Sequence, residues 1–271
     1  MSDANISNLK MKLSIIVVTL NAGDELRATV KSIITQTYKD FEILVKDGES
    51  TDGSLSKLPE DPRIRVIVKS DLGIYDAMNQ ALEEAVGDYV LFLNCGDYLY
   101  NEHVLENVVA HMDGPNLLIY GDIYDRAARS RVSSNPEMDE FALFRNVPCH
   151  QACIYDRKVV LMHPFNTKYK VRADYEQFLW CSYIAKVKFV YTGEIISSYM
   201  GGGFSEEKKN RRLSAAEHID IVENYMPHKQ IVRYRRRMRL TLAPLRRLIA
   251  SNPVTGGLYN RIKKSIYSRK A

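Results

Sequence analysis

The chain has 271 residues, 45% of them hydrophobic and 26% charged, which is enough to bury a full core and excludes a disordered protein. Its net charge of +5 conceals an asymmetry: residues 229–271 hold 13 Lys or Arg and no Asp or Glu, leaving 25 basic against 33 acidic residues before them. No run approaches the roughly 20 apolar residues of a membrane span, and the four cysteines are spaced neither as metal pairs nor as a disulfide framework.

The apolar run 13–18 is too short for a secretory signal, so the sequence reads as a cytoplasmic α/β body with a basic tail, its cysteines small buried hydrophobes. Residues 12–20 are a β-branched run that predicts a strand, and 21–35, with Leu26, Val30, Ile33 and Ile34 at helical spacing, its crossover helix. A second strand over 41–46 runs into Asp47-Gly48-Glu49-Ser50-Thr51-Asp52-Gly53, a stretch too rich in turn formers to extend it. A third, 63–68, precedes Asp71-Leu72-Gly73 and a helix over 74–86 with Ile74, Met78, Ala81, Leu82 and Ala85 on one face. The five apolar residues 89–93 suit a strand buried on both faces, ending in the small acidic turn Asn94-Cys95-Gly96-Asp97. This alternation argues a right-handed, parallel βαβ sheet.

A helix over 102–112 and a strand over 117–120, stopping at Gly121-Asp122, continue the pattern, which fades from Arg126. Apolar segments at 141–146 and 148–155 follow, then Asp174-Tyr175-Glu176 opening a helix to about Ile184, and two strands at 188–191 and 194–200. This second half is expected to form the far wall of a cleft. Gly201-Gly202-Gly203-Phe204-Ser205 reads either as a loop closing over a ligand or as a plain linker, and Ser205 suits the cap of a following helix.

An open parallel sheet binds ligands beyond the carboxyl ends of its strands, which puts Asp47, Asn94 and Asp97 on the crevice floor. Hard oxygen ligands there suit Mg²⁺ or Mn²⁺, and through it a diphosphate. Each residue also has a plainer reading: Asp-Gly and Asn-x-Gly-Asp are ordinary turns, Asp174 suits a helix N-terminus, and a lone His150 is commonly a hydrogen-bonded core residue. On the functional reading, His150-Gln151 contacts an acceptor or a diphosphate.

Residues 14–21, 47–53, 71–79, 93–97 and 174–176 together resemble the family 2 glycosyltransferases of GT-A fold, especially those building bacterial exopolysaccharide, colanic acid and lipopolysaccharide. The likeness covers about residues 12–205, and Asp71-Leu72-Gly73-Ile74-Tyr75-Asp76-Ala77-Met78-Asn79 is its most specific part. The resemblance implies a GT-A α/β fold, a Rossmann-like, mostly parallel central sheet flanked by helices, with a basic helical C-terminal extension. It implies inverting transfer of a sugar from a nucleotide-diphosphate donor to an acceptor hydroxyl, expected to be that of a lipid-linked glycan. Under it Thr19, Asn21, Asp47, Asp71, Gly73, Tyr75, Asp76, Asn79 and Asn94 bind the donor, Asp97 holds the metal and Asp174 is the catalytic base. His150, Gln151, Gly202 and Ser205 are candidate contacts to acceptor or diphosphate. Where many relatives have Asp-x-Asp-Asp, this chain has Asn94-Cys95-Gly96-Asp97, so only Asp97 brings a negative charge.

The expected organisation is a glycosyltransferase domain over 1–225, with a nucleotide-sugar half at 12–125 and an acceptor half at 126–225, and a basic amphipathic tail over 226–271. The tail interleaves basic and apolar residues at 234–240, 245–249 and 262–267, as helices do on anionic lipid, which predicts a peripheral position at the inner face of the cell membrane. Phosphate contacts to nucleic acid are the competing reading; no nucleic-acid motif accompanies the tail, and nucleic acid is not expected as a partner. The rival functions are a nucleotidyltransferase on a related sheet and a non-catalytic binding protein.

Overall fold

The structure, a computed structural model, describes residues 13–200 and 208–240. In chain order the elements are β1 (Leu13–Thr19), α1 (Asp24–Ile34), β2 (Phe41–Asp47), β3 (Ile64–Val68), α2 (Ile74–Glu84), β4 (Tyr89–Phe92), β5 (Tyr98–Leu99), α3 (Val104–Val109), β6 (Leu117–Asp125), β7 (Ser130–Val132), α4 (Glu140–Arg145), β8 (Cys153–Asp156), α5 (Arg157–Met162), α6 (Ala173–Tyr183), β9 (Lys188–Tyr199), α7 (Lys208–Tyr225) and α8 (His228–Leu240). Two compact units divide the chain at 221/222. The first contains the whole sheet; the described part of the second, 222–240, is helical and carries α8.

All the strands join one sheet in the order β3-β2-β1-β4-β8-β6-β9-β5, with β7 paired to β6. The first four are parallel, as the βαβ alternation predicts. Leu13, Ile15, Val17 and Val45 are fully buried on β1 and β2, and Leu26, Val30 and Ile33 of α1 share a core with them. Each such side chain contributes about 1.5–3 kcal/mol through burial. The amphipathic face of α1 is thus what fixes that helix on the sheet.

Beyond β4 the sheet becomes mixed. Strand β8 runs antiparallel to both β4 and β6, a reversal absent from the alternation read in the sequence. Its direction matters, because an antiparallel strand begins where its neighbour ends, and the short 3-10 turn His150–Ala152 that leads into β8 therefore sits at the carboxyl end of β4. Two other expectations are corrected. Strand β6 does not stop at Gly121 but runs through it, and the segments at 188–191 and 194–200 are one strand, β9, irregular where it passes Gly121. The glycine there is a close-approach residue and no terminator: a Cβ on Gly121 would clash with the backbone oxygen of Glu194.

Candidate active site

The carboxyl ends of β1 and β2 lie side by side, with Thr19 opposite Asp47. The loops that follow are joined by hydrogen bonds: Asn21 N donates to Ser50 Oγ (2.8 Å), Thr51 N to Asn21 Oδ1 (2.9 Å) and Gly23 N to Asp52 Oδ2 (2.7 Å). Asn21 adopts φ 49°, a left-handed conformation that its short polar side chain tolerates. Asp47 is fully buried and accepts from Ser50 N (2.7 Å) and Ser50 Oγ (2.5 Å). Asp71 pairs at 2.9 Å with Lys46, whose side chain is completely buried, and Gly48 keeps the space open, since a Cβ there would lie 3.0 Å from Asp71 Oδ2.

The run 71–79 then enters α2 through Gly73, whose φ of 126° excludes a strain-free side chain. Asp76 accepts from Leu72 N (2.9 Å) and Gln80 Nε2 (3.0 Å). Asn79 forms a reciprocal pair with Phe165, donating to its carbonyl at 2.8 Å and accepting from its N–H at 2.9 Å. The polar side chains of Asp47, Asp71, Asp76 and Asn79 are therefore engaged within the protein, fixing the rim of the crevice.

A second group assembles around the end of β4. Leu93 N bonds Ile16 O and Cys95 N bonds Val18 O, which holds the turn after β4 along β1. Asn94 Nδ2 lies 2.9 Å from His150 Nε2, His150 Nδ1 lies 3.4 Å from Asp174 Oδ2, and Tyr75 Oη lies 3.1 Å from Asp174 Oδ1. Four residues predicted from separate parts of the sequence thus form one continuous chain, and the antiparallel start of β8 is what brings His150 into it. Asp174 sits in the first turn of α6, where Tyr175 N donates to it at 2.8 Å, and its side chain is 23% exposed. The segment before it is held from α7: Glu217 accepts from the N–H groups of Lys170, Val171 and Arg172 at 2.7–3.0 Å.

The two acids of this group are tuned in opposite directions. Burial raises Asp97 to about 6, and the charges of His150 and Arg126 only partly offset this; its carboxylate accepts no hydrogen bond among the described residues. Burial also works against the charge of Asp174, but the hydrogen bond and charge of His150, the Tyr175 N–H and Arg172 outweigh it and leave the carboxyl below its usual range. Tyr75 is pushed well above the usual phenol value by burial and by Asp174, so it remains a donor to that carboxylate. Burial raises the Cys95 thiol to about 11, which leaves it protonated at neutral pH.

Among the described residues no three His, Cys, Asp or Glu converge as a protein-only metal site. The turn does suit an ion that arrives with phosphates. Asn94 Oδ1 is buried without a hydrogen-bond partner among the described residues, and Asp97 carries an under-compensated carboxylate beside it in the same turn. Mg²⁺ and its like are commonly held by one or two carboxylates together with substrate oxygens and water. Gln151 is buried in the turn beside His150. Gly202 and Ser205, with the loop 201–205 and the tail segments 245–249 and 262–267, lie outside the described residues. Arg126, which follows β6 and donates to Gly96 O, gave no signal in the sequence beyond being a basic residue; neither did Glu217.

A family model described as "Glycosyl transferase family 2" matches residues 14–167. The chain is 35% identical over 196 residues to a PGL/p-HBAD biosynthesis glycosyltransferase of Mycobacterium tuberculosis, covering 69% of this chain and 75% of that protein. It is 32% identical over 186 residues to an Escherichia coli UDP-Glc:alpha-D-GlcNAc-diphosphoundecaprenol beta-1,3-glucosyltransferase, covering 64% and 70%. Among solved structures it resembles residues 1–349 of Staphylococcus aureus TarS in complex with UDP, with a TM-score of 0.58 at 20% identity. That match covers 76% of this chain, which spans 65% of the TarS fragment. It also resembles the mannosyltransferase PcManGT of Pyrobaculum calidifontis in complex with GDP-Man and Mn²⁺, with a TM-score of 0.63 at 15% identity over 94% and 79% of the two chains. At these identities the structural likeness establishes the GT-A fold.

Proposed function

Starting from a chain that belongs to glycosyl transferase family 2 and has the GT-A fold, we propose that it transfers a sugar, with inversion, from a nucleoside-diphosphate donor to an acceptor hydroxyl. The observation that carries this reading is the hydrogen-bonded chain Asn94–His150–Asp174–Tyr75, which links the turn after β4 to an ionised, partly exposed carboxylate. An inverting displacement needs a base on the face of the sugar opposite the leaving group. Asp174 fills that role. Its Oδ1 is held by Tyr75 and the Tyr175 N–H, and Oδ2, with the 3.4 Å contact to His150, keeps lone pairs for the acceptor proton.

In the step, the acceptor oxygen forms a bond to the anomeric carbon as its proton passes to Asp174 Oδ2. The bond from that carbon to the diphosphate oxygen breaks, and its electron pair leaves with the nucleoside diphosphate. His150 orients the carboxylate through Nδ1 and is itself held from Nε2 by Asn94. The rim formed by Thr19, Asn21, Asp47, Asp71 and Gly73 receives the nucleoside, with the stitched loops providing its shape. Asp97 and Asn94 Oδ1 would hold Mg²⁺ or Mn²⁺, which when bound neutralises charge on the leaving diphosphate.

We further assign the acceptor as a lipid-linked glycan in bacterial surface-polysaccharide assembly, on the E. coli relative named for a diphosphoundecaprenol substrate. No helix among the described residues is long and apolar enough to cross a membrane. The basic tail from about 226, of which α8 is the described part, would then hold the enzyme on anionic lipid, with residues 1–225 forming the transferase domain. The test is nucleoside-diphosphate release by purified protein across UDP-, GDP- and dTDP-sugars, with lipid extract as acceptor, in Mg²⁺ or Mn²⁺ and in chelator. Release from one donor, abolished by chelator and by Asp97→Ala, is the expected result. Silence across the panel from folded protein would turn attention to a binding role.

A further inference from the structure

Arg126 directly follows β6 and is anchored by β9, its backbone N–H donating to Tyr199 O at 2.9 Å. Its side chain folds over the turn after β4. One terminal nitrogen donates to Gly96 O, and the guanidinium carbon lies 4.1 Å from the centre of the Tyr98 ring. Those two contacts bracket Asp97. Tyr98 is fixed in turn by a 2.6 Å hydrogen bond to Glu25.

The guanidinium is therefore held in place by a carbonyl and a ring face, with no ion pair to a carboxylate among the described residues. Its Nε is buried and has no hydrogen-bond acceptor among them. A half-buried guanidinium with an orphaned donor is costly to keep unless something binds there, because a buried donor left unmade loses its water without compensation. The orphaned Asn94 Oδ1 lies in the same turn.

We propose that Arg126 is a diphosphate-binding residue that supplies, from the β6 end, positive charge at the leaving group. This rests on the nucleoside-diphosphate reading above and extends it to a residue outside the motifs. The charge balance favours it. A sugar nucleotide brings about two negative charges and gains another as the bond to the sugar breaks, whereas a divalent ion on the single carboxylate of this turn leaves a net charge of only about one to meet them. A planar guanidinium next to that carboxylate adds a second positive charge and offers two parallel N–H donors to phosphate oxygens. The turn Asn94-Cys95-Gly96-Asp97 brings a single carboxylate, and the charge of Arg126 acts on it, so the site carries one carboxylate and one arginine near each other.

The experiment is titration of full-length wild type, Arg126→Ala and Arg126→Lys with UDP, GDP and dTDP and with the matching monophosphates, all in Mn²⁺. For the base that the wild type binds, Arg126→Ala should weaken the diphosphate about 10–100-fold, the worth of one or two hydrogen bonds to a charged group, and leave the monophosphate nearly unchanged. Arg126→Lys, which keeps the charge and loses the fork, should fall between. Because Arg126 also holds Gly96 O, a purely structural role would weaken mono- and diphosphate alike, and that result would overturn the proposal. Unchanged affinity for both would overturn it too. A folded wild type that bound none of the nucleotides would instead overturn the donor reading and this proposal with it.

Discussion

Two turns at the carboxyl end of one sheet carry an aspartate each, and they meet its charge in opposite ways. At the end of β2, Asp47 is fully buried and saturated by the N–H and hydroxyl of Ser50, while its neighbour Asp71 is neutralised by the buried Lys46. After β4, Asp97 accepts no hydrogen bond among the described residues and is pushed up to about 6, with Asn94 Oδ1 and Arg126 Nε both lacking partners there. A carboxylate that the protein itself satisfies is part of the architecture. One left under-compensated in a half-buried turn is held ready for something that binds. In sequence the two are alike in being short stretches with Asp and Gly at the end of an apolar strand.

The largest expected effect tests what both turns serve. Asp174→Asn should lower kcat by about 10²–10⁴-fold, the usual worth of a positioned base, while nucleotide affinity by titration stays within about twofold. Near-normal turnover would place the base elsewhere.

The same substitution made in each turn should act with opposite sign. Asp97 has a folded value of about 6, above the ordinary 3.8, so its ionisation opposes folding: stability is greatest below the unfolded value and is lost as pH rises through about 6. Asp97→Asn should therefore stabilise the metal-free protein by about 1–3 kcal/mol at pH 8 and have little effect near pH 4. Asp47→Asn should destabilise by about 1–3 kcal/mol, because a buried acceptor pair is disrupted. Urea melts at both pH values decide this, and equal destabilisation by both variants would erase the distinction.

The same titration bears on binding, since a metal ion needs the ionised carboxylate. Metal-assisted nucleotide affinity should be constant above pH 7 and fall by up to about tenfold per unit as pH drops below about 6. Asp97→Asn should remove that inflection, and Asp47→Asn should leave it. The smallest effect is at the rim: Asn79→Ala, which frees both backbone groups of Phe165, should cost about 1–2 kcal/mol of stability with donor KM changed little. A loss of donor affinity with stability intact would return Asn79 to the donor site.

Local sequence signals were enough to place most elements and one half of the site. Strands β1, β2 and β4 and helices α1, α2 and α6 follow from apolar periodicity and turn residues, because those signals are set by neighbours a few positions apart. The likeness of its motifs to family 2 glycosyltransferases named Asp97, Asp174 and the run 71–79 for the same reason. The remainder arises from long-range packing. That β8 runs antiparallel, that β6 passes through Gly121, that His150 bridges Asn94 to Asp174, that Glu217 clamps the approach to α6 and that Arg126 covers the turn after β4 all depend on partners about 24–74 residues apart in the chain or on sheet order. The same distinction separates Asp47 from Asp97. Residue type and spacing say that a carboxylate is there, and only the groups that fold around it decide whether its charge is already met.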